Sequence, residues 1–328
     1  MSEPARNAEL FWLEPQLRSL RQARAQDRLP HGLLIQDAPG GGGTQLALMA
    51  AQAALCREPD APCRQCAICR QVTEQRHPDL WLVGLEEDAQ QIKVDQIREL
   101  CDRLSLTGYS SQASAAVIEP AAALNANAAN ALLKTLEEPR AGVLLVLVAG
   151  AGARLPATVI SRCQRLRVQL PGREECLAWL RQNGGSGDWE AVLDVLGNAP
   201  LRALAVAPAE LRRVRDDTHD ALEQARQGHL DVAAAAERWV RDAFDLRLVC
   251  AENWVTQRIV GQLSVPASVT KVHTGAHLPA GDSSMNIRGL FRLADQLREL
   301  AYLATTSINK SLALEHVLWQ VPRSAPRC

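Results

Sequence analysis

Four consecutive glycines, Gly40 to Gly43, separate two apolar segments of this 328-residue chain. The segment before them, Leu33 to Ile35, is typical of a buried strand, and the segment from Thr44 to Leu55 has the alanine and leucine content of a helix. A strand that leads into a helix through a tight glycine turn is a building block of parallel sheets. The simpler alternative is that the glycines only form a flexible turn.

Residues Asp37 to Thr44 follow the frame of the phosphate-binding pattern G-x-x-x-x-G-K-[ST], in which backbone N–H groups cradle phosphates and the lysine reaches them. Asp37 stands at the first glycine position, and Gly43 stands at the lysine position. The turn has therefore gained an anion and lost its cation, so we expect no ATP to be hydrolysed by this chain. The N–H groups of Gly40, Gly41, Gly42, Gly43 and Thr44 remain able to bind a phosphate weakly.

Strands and helices alternate to about residue 169, which predicts a parallel α/β sheet with helices on both faces. The further predicted strands are Leu80–Val83, Ala115–Ile118, Val143–Val148 and Arg165–Val168. A helix is predicted from Ala121 to Glu138, because Pro139 then ends it.

Three domains are predicted, so that the fold class is α/β plus all-α. Residues 1–169 form the α/β domain, residues 170–207 a small helical lid, and residues 208–328 a helical C-terminal domain. Prolines and glycines between Gly261 and Ser284 predict a long loop or broken helices within the last domain.

Charge and hydropathy exclude several classes of protein. Thirty-six Lys and Arg against 37 Asp and Glu leave a net charge of −1, so no overall basic field favours nucleic acid. The N-terminus lacks the basic and apolar regions of a signal peptide, and no apolar run is long enough to span a membrane. We therefore expect a cytoplasmic protein without membrane contact.

Four of the nine cysteines, Cys56, Cys63, Cys66 and Cys69, form the pattern C-x6-C-x2-C-x2-C within residues 56–69. Close-set thiolates of this kind are typical of a tetrahedral structural Zn²⁺ site, and four sulfurs leave no open position for a catalytic water. The alternatives are reduced thiols in a loop or a redox pair.

The segment A-L-L-K-T-L-E-E-P at residues 131–139, followed by Ser161-Arg162-Cys163, closely resembles bacterial clamp-loader subunits of DNA polymerase III, which are AAA+ proteins. L-P-H-G-L-L at residues 29–34 and the four-cysteine insertion are also similar to this family. The resemblance implies an AAA+ α/β domain with a zinc module, a helical lid and a C-terminal oligomerisation collar.

The family contains motor subunits with intact nucleotide sites and a stator that lacks them. Besides Gly43, this chain has Glu119-Pro120 where motors carry an Asp-Glu pair, and Ala149-Gly150 where motors carry threonines that sense the γ-phosphate. Proline can neither hold magnesium nor polarise water. The resemblance therefore implies a stator rather than a motor.

In the resembling family the arginine of the Ser-Arg-Cys motif reaches the nucleotide of the neighbouring subunit. The resemblance thus implies that Arg162 acts in trans as an arginine finger. Judged without the family, Ser161 would cap a short helix and Arg162 would be an ordinary solvated surface residue.

The resemblance implies a ring of gamma/tau motor subunits, one delta subunit and this chain, which loads the sliding clamp onto primed DNA. No ATPase or polymerase activity is expected from the isolated chain, although it would belong to a DNA-directed DNA polymerase holoenzyme. One alternative is an active motor ATPase. The other is a zinc-dependent nucleic-acid-binding module, which the 4% aromatic content does little to support.

Overall fold

The computed structural model describes residues 9–87, 89–105, 113–263, 286–304 and 308–322. The chain divides into two compact units, one of residues 1–185 with 198–205 and the other of residues 186–197 with 206–328. Most of the loop predicted between Gly261 and Ser284 lies outside the described residues. Within those residues, no helix has both the length and the apolar character needed to cross a membrane.

The first unit is built on a sheet of five parallel strands. The strands are β1 (Gly32–Asp37), β2 (Leu80–Val83), β3 (Ser114–Ile118), β4 (Val143–Gly150) and β5 (Gln164–Arg167). Their order is β2-β3-β4-β1-β5, and all neighbouring strands are parallel. The inner strands β3 and β4 are near-continuous apolar runs and are buried almost throughout, as strands covered on both faces must be. The predicted parallel α/β fold is confirmed.

Helices cover this sheet. In the first unit they are α1 (Glu14–Ala25), α2 (Gly43–Leu55), α3 (Ala67–Thr73), α4 (Val94–Ser105), α5 (Ala126–Glu137), α6 (Ala157–Ile160) and α7 (Arg173–Asn183); α8 (Trp189–Leu196) belongs to the second unit, and α9 (Pro200–Leu204) to the first. Ile97, Leu100 and Leu104 recur at helical spacing on α4 and share a buried core with Leu132 and Leu136 of α5.

The helix predicted to begin at Ala121 begins at Ala126 instead. Asn125 is the cause, because its side-chain oxygen accepts a 2.8 Å hydrogen bond from the N–H of Ala128 and so caps the helix. Residues Ala121–Ala123 form a separate 3-10 turn directly after Glu119 and Pro120.

The secondary-structure elements described for the second unit are all helices. Besides α8 they are α10 (Pro208–Gln227), α11 (Val232–Arg241), α12 (Phe244–Leu263), α13 (Ile287–Leu303) and α14 (Lys310–Trp319). Their core includes Trp239, Leu248, Trp254, Leu293 and Leu314. Because α8 lies in this unit while α7 and α9 lie in the other, the segment 170–207 contributes to both; the three-domain division stays a prediction.

The topology places chemically distinctive residues at one edge of the sheet. The carboxyl ends of parallel strands meet at the same edge, where α/β proteins bind their ligands. Asp37 ends β1, Glu119 follows β3 and Gly150 ends β4. These three residues therefore mark the part of the first unit in which to look for a site.

Candidate functional site

The turn between β1 and α2 has a conformation that its glycines permit. Gly40 and Gly42 have φ values of 82° and 103°, which residues with side chains rarely adopt. Gly43 is the first residue of α2, and its N–H donates to Asp37 Oδ2 at 2.7 Å. The Asp37 carboxylate thus satisfies one of the donors at the start of this helix.

Two contacts from distant parts of the first unit hold the turn in place. Trp12 Nε1 donates to the carbonyl oxygen of Gly41 at 2.6 Å, and the N–H of Leu201 donates to that of Gly40 at 3.2 Å. Trp12 also packs edge-to-face on Trp179, with ring centroids 5.1 Å apart. Sequence patterns did not reveal these contacts, because the partners lie in separate segments.

A cleft of about 500 Å³ opens beside the turn. It is lined by the turn, by the residues that follow β3, by the end of β4 and by α9, so the positions where the sequence departs from the motor pattern come together in one place. Among the described lining residues Asp37 and Glu119 are acidic, Arg202 is basic and Thr44 carries a hydroxyl. Sequence reasoning missed Arg202, which has no signal of its own in the pattern around it.

The two carboxylates of the cleft are both held in a setting that disfavours their charge. Burial raises the pKa of Glu119, the hydrogen bond from Thr44 lowers it, and the charge of Asp37 raises it again. Burial also raises the pKa of Asp37, against the opposing hydrogen bonds from the backbone of Gly43, Ala38 and Gly42. A phosphate in this cleft would meet two carboxyl groups.

The polar groups that remain are engaged with one another. Thr44 Oγ1, the hydroxyl at the magnesium-binding position of the pattern, donates to Glu119 Oε1 at 2.8 Å. Pro120, Ala149 and Gly150 line the same cleft and add neither a carboxylate nor a hydroxyl. The position next to Glu119 is therefore Pro120, which has no carboxylate to orient a water for attack, and the Asp37 carboxylate is hydrogen-bonded to the start of α2.

Arg162 lies elsewhere, in the turn between α6 and β5. Its Nη1 donates to the carbonyl oxygen of Thr158 at 2.9 Å, and its guanidinium forms an ion pair with Glu137. Its side chain is 34% exposed. Ser161 closes α6 at its C-terminal end, where its hydroxyl donates to the same Thr158 oxygen at 3.1 Å.

The motif at residues 131–139 occupies the second half of α5. Its Leu132 and Leu136 are buried against the sheet, whereas Lys134, Glu137 and Glu138 are exposed. The apolar positions therefore position the helix, and the charged positions are available for contacts outside the core.

The four clustered cysteines converge. Cys56 ends α2, Cys66 caps the start of α3, and Cys69 lies in the first turn of α3. The sulfur–sulfur distances are 3.7 Å from Cys56 to Cys63, 3.8 Å from Cys56 to Cys66 and 3.9 Å from Cys63 to Cys69, and all four atoms lie within 4.8 Å of one another. A tetrahedron with Zn–S bonds of about 2.3 Å has edges of about 3.8 Å. This donor set fits a tetrahedral metal.

Backbone groups favour the thiolate of Cys63, whereas burial raises the pKa of Cys56 and Cys69. The N–H groups of Cys66 and Cys69 each donate to a sulfur at 3.4 Å, and the backbone of Gln65 and Cys66 lowers the pKa of Cys63 to about 7. Gln52 of α2, which sequence reasoning missed, is buried and donates to the carbonyl oxygen of Cys69 at 2.8 Å. The cluster is thereby attached to the helix that follows the glycine turn.

Comparison with known proteins identifies the family. Residues 12–171 match a family model described as DNA polymerase III, delta subunit. The DNA polymerase III subunit delta' of Yersinia pestis is 28% identical over an alignment of 337 residues, which covers 95% of this chain and 96% of that protein. The solved structure of a DNA polymerase III gamma subunit-related protein from Thermotoga maritima is 17% identical and has a TM-score of 0.48. The alignment covers 92% of this chain and 97% of that protein's chain.

A second relative shows the family by identity as well as coverage. The DNA polymerase III subunit delta' of Pseudomonas aeruginosa is 32% identical over 237 residues, which cover 71% of this chain and 72% of that protein. This chain belongs to the family of DNA polymerase III subunit delta prime.

Proposed function

We propose that the chain is the non-hydrolysing stator subunit of a bacterial DNA polymerase III clamp loader. One observation carries the proposal: the cleft retains the glycine turn and Thr44, yet Asp37 and Glu119 face it while Gly43 brings no ammonium group. Phosphoryl transfer depends on cations and donors placed around the γ-phosphate. A cleft of this composition is poorly suited to bind or hydrolyse ATP.

The proposed role is exercised within a ring. The chain would assemble with gamma/tau motor subunits and a delta subunit, brace one edge of the ring, and support ATP-dependent loading of the sliding clamp on primed DNA. Arg162 would complete the ATP site of a neighbouring motor. Its partial exposure supports this role, because a third of the side chain is accessible to solvent and so to a neighbouring subunit.

The test is the ATPase activity of the reconstituted complex with the variant Arg162→Ala. An arginine finger supplied in trans is worth ~10³ to 10⁵ in rate, so single-turnover hydrolysis should acquire a slow phase from the one motor site that has lost its finger. Arg162→Lys tests whether a positive charge alone is sufficient. It keeps the charge but not the planar fork, so hydrolysis at that site should also be slow. Equal hydrolysis by all three complexes, each of unchanged mass, would refute the finger.

The four cysteines are proposed to hold a structural Zn²⁺. Cys56, Cys63, Cys66 and Cys69 supply four sulfurs at tetrahedral spacing, and such a set leaves no coordination position for a reacting water. The metal would supply a fixed link between the end of α2 and the start of α3. Folding of this segment, rather than chemistry, is its expected contribution.

A further inference from the structure

We infer that the carboxylate of Asp37 occupies the anion-binding turn of the cleft and is the residue that keeps phosphate groups out of it. This inference rests on the proposed function, since it names the group that makes the cleft unfit for a nucleotide. The two departures from the phosphate-binding pattern, at residues 37 and 43, are then one linked change.

Asp37 contacts the turn at the place where a phosphate would bind. A phosphate in a turn of this kind accepts hydrogen bonds from backbone N–H groups at the start of the helix. Here Asp37 Oδ2 accepts the hydrogen bond from the N–H of Gly43 at 2.7 Å, and Asp37 Oδ1 is buried. The carboxylate thus takes a donor that a phosphate would need.

A side chain at position 43 would collide with Asp37. A Cβ atom built on Gly43 would lie 2.8 Å from both Cβ and Oδ2 of Asp37, which is closer than real Cβ atoms approach their neighbours. A Cβ atom on Gly41 would lie 2.2 Å from Asp37 Oδ1. Any side chain at position 43, including a lysine, therefore requires Asp37 to move. Gly43 is a consequence of Asp37 as much as an independent loss.

Glu119 adds a second carboxylate to the same cleft. A phosphate that displaced Asp37 from the turn would still face Glu119, whose carboxylate is engaged by Thr44. Arg202 is the basic side chain among the described lining residues, and its backbone packs directly on Gly40. The negative charges of Asp37 and Glu119 oppose the binding of an anion. Replacing Gly43 by lysine alone should therefore not restore a phosphate site.

The experiment compares four full-length proteins: wild type, Gly43→Lys, Asp37→Gly and the double variant. Glycine is chosen at position 37 because Cβ of Asp37 contributes to the clash. Isothermal titration with MgATP should show tighter binding by the double variant than by Gly43→Lys, by about tenfold or more. Inorganic pyrophosphate should show the same order, because the gain lies in the phosphate contacts.

Glu119→Gln combined with Gly43→Lys is the matched control. It removes a carboxylate from the same cleft but leaves Asp37 in the turn, so any gain over Gly43→Lys alone should be well below the gain of the double variant Asp37→Gly/Gly43→Lys. A double-mutant cycle measured by thermal unfolding gives independent evidence. Gly43→Ala should lower the Tm by about 5 °C, and adding Asp37→Gly to Gly43→Ala should restore most of that loss.

The outcomes separate the two proposals. MgATP binding with turnover by the wild-type chain contradicts the proposed function. If the wild type does not bind but Gly43→Lys binds as tightly as the double variant, or the double variant gains nothing, the role of Asp37 is overturned and the stator proposal stands. If the Tm changes of Asp37→Gly and Gly43→Ala simply add in the double-mutant cycle, the role of Asp37 is also overturned.

Discussion

The guanidinium of Arg162 is paired with the carboxylate of Glu137, which joins the end of α5 to the turn before β5. Gly32 lies beneath this junction, where a Cβ atom would come within 2.9 Å of Leu136 Cδ2 and 3.2 Å of the carbonyl oxygen of Arg162. The two motifs that carry the family resemblance therefore form one local structure. Glu137 is placed to orient the proposed finger.

The variant Glu137→Gln tests this orientation. Loss of the ion pair should slow single-turnover ATP hydrolysis at the neighbouring motor site by about two- to fivefold, because exposed pairs are worth up to about 1 kcal/mol. The expected effect is far smaller than that of Arg162→Ala. The stability of the isolated chain should change by less than about 0.5 kcal/mol, as measured by urea unfolding.

Glu138→Gln serves as its control, because Glu138 is the adjacent exposed carboxylate of the same motif. It should leave hydrolysis unchanged. If both glutamine variants slow hydrolysis equally, general surface charge rather than the contact with Arg162 is responsible.

The cysteine cluster predicts one zinc ion per purified chain, measured by atomic emission. Cys66→Ser should lose the metal and expose residues 56–79 to limited proteolysis, because the metal is proposed to organise that segment. Cys101→Ser should retain it, since Cys101 lies outside the cluster. Wild-type protein that neither contains zinc nor takes it up after reduction would contradict the site.

Arg247 should be the most sensitive charged residue of the second unit. It is 1% exposed, and it donates to the carbonyl oxygen of Asp242 at 2.8 Å, to Asp242 Oδ2 at 2.7 Å and to Asp217 Oδ2 at 2.5 Å. Arg247→Met removes these three hydrogen bonds, while Arg213 still pairs with Asp242, and should cost about 2 kcal/mol in urea unfolding. Arg213→Met removes an exposed partner of Asp242 and should cost under about 1 kcal/mol; equal costs would contradict this ranking.

Asp242 predicts an acid-sensitive contribution to stability. Hydrogen bonds from Arg213 and Arg247 lower the pKa of Asp242 to about 2. Because the folded pKa lies below the unfolded value of about 3.9, the stabilisation is present above pH 4 and is lost as the pH falls toward 2. The side chain is 40% exposed, so after allowance for solvent screening we expect about 1 kcal/mol.

Urea unfolding of wild type and Asp242→Asn between pH 5 and pH 2 measures this contribution. The difference in the free energy of unfolding should shrink as the pH falls. A difference that stays constant over this range would show that the effect of the substitution does not arise from titration of Asp242.

Much of the first unit could be predicted from local sequence. The apolar runs at Leu33 and Val143 indicate buried strands, and cysteine spacing alone predicts the cluster around Cys66. The start of α5 could not be located by periodicity, because alanines continue through the capping residue Asn125. Contacts between distant segments, such as that of Trp12 with Gly41, have no periodic signal.

The position of the Asp37 carboxylate in the turn could not be predicted from the sequence for a similar reason. The sequence shows that an acid replaces a glycine, but only the fold shows where its carboxylate points and that Gly43 makes room for it. From the sequence alone, Asp37 and Gly43 look like two separate departures from the phosphate-binding pattern. The position of the Asp37 side chain shows that they are linked.

The decisive measurement is ATP turnover by the purified chain alone, free of motor subunits and in the presence of magnesium and primed DNA. We expect no hydrolysis above the level of a buffer control, because Asp37 and Glu119 face the cleft, Gly43 brings no ammonium group and Pro120 adds no carboxylate next to Glu119. Sustained ATP turnover that follows this chain through purification would overturn the proposal of a non-hydrolysing stator subunit.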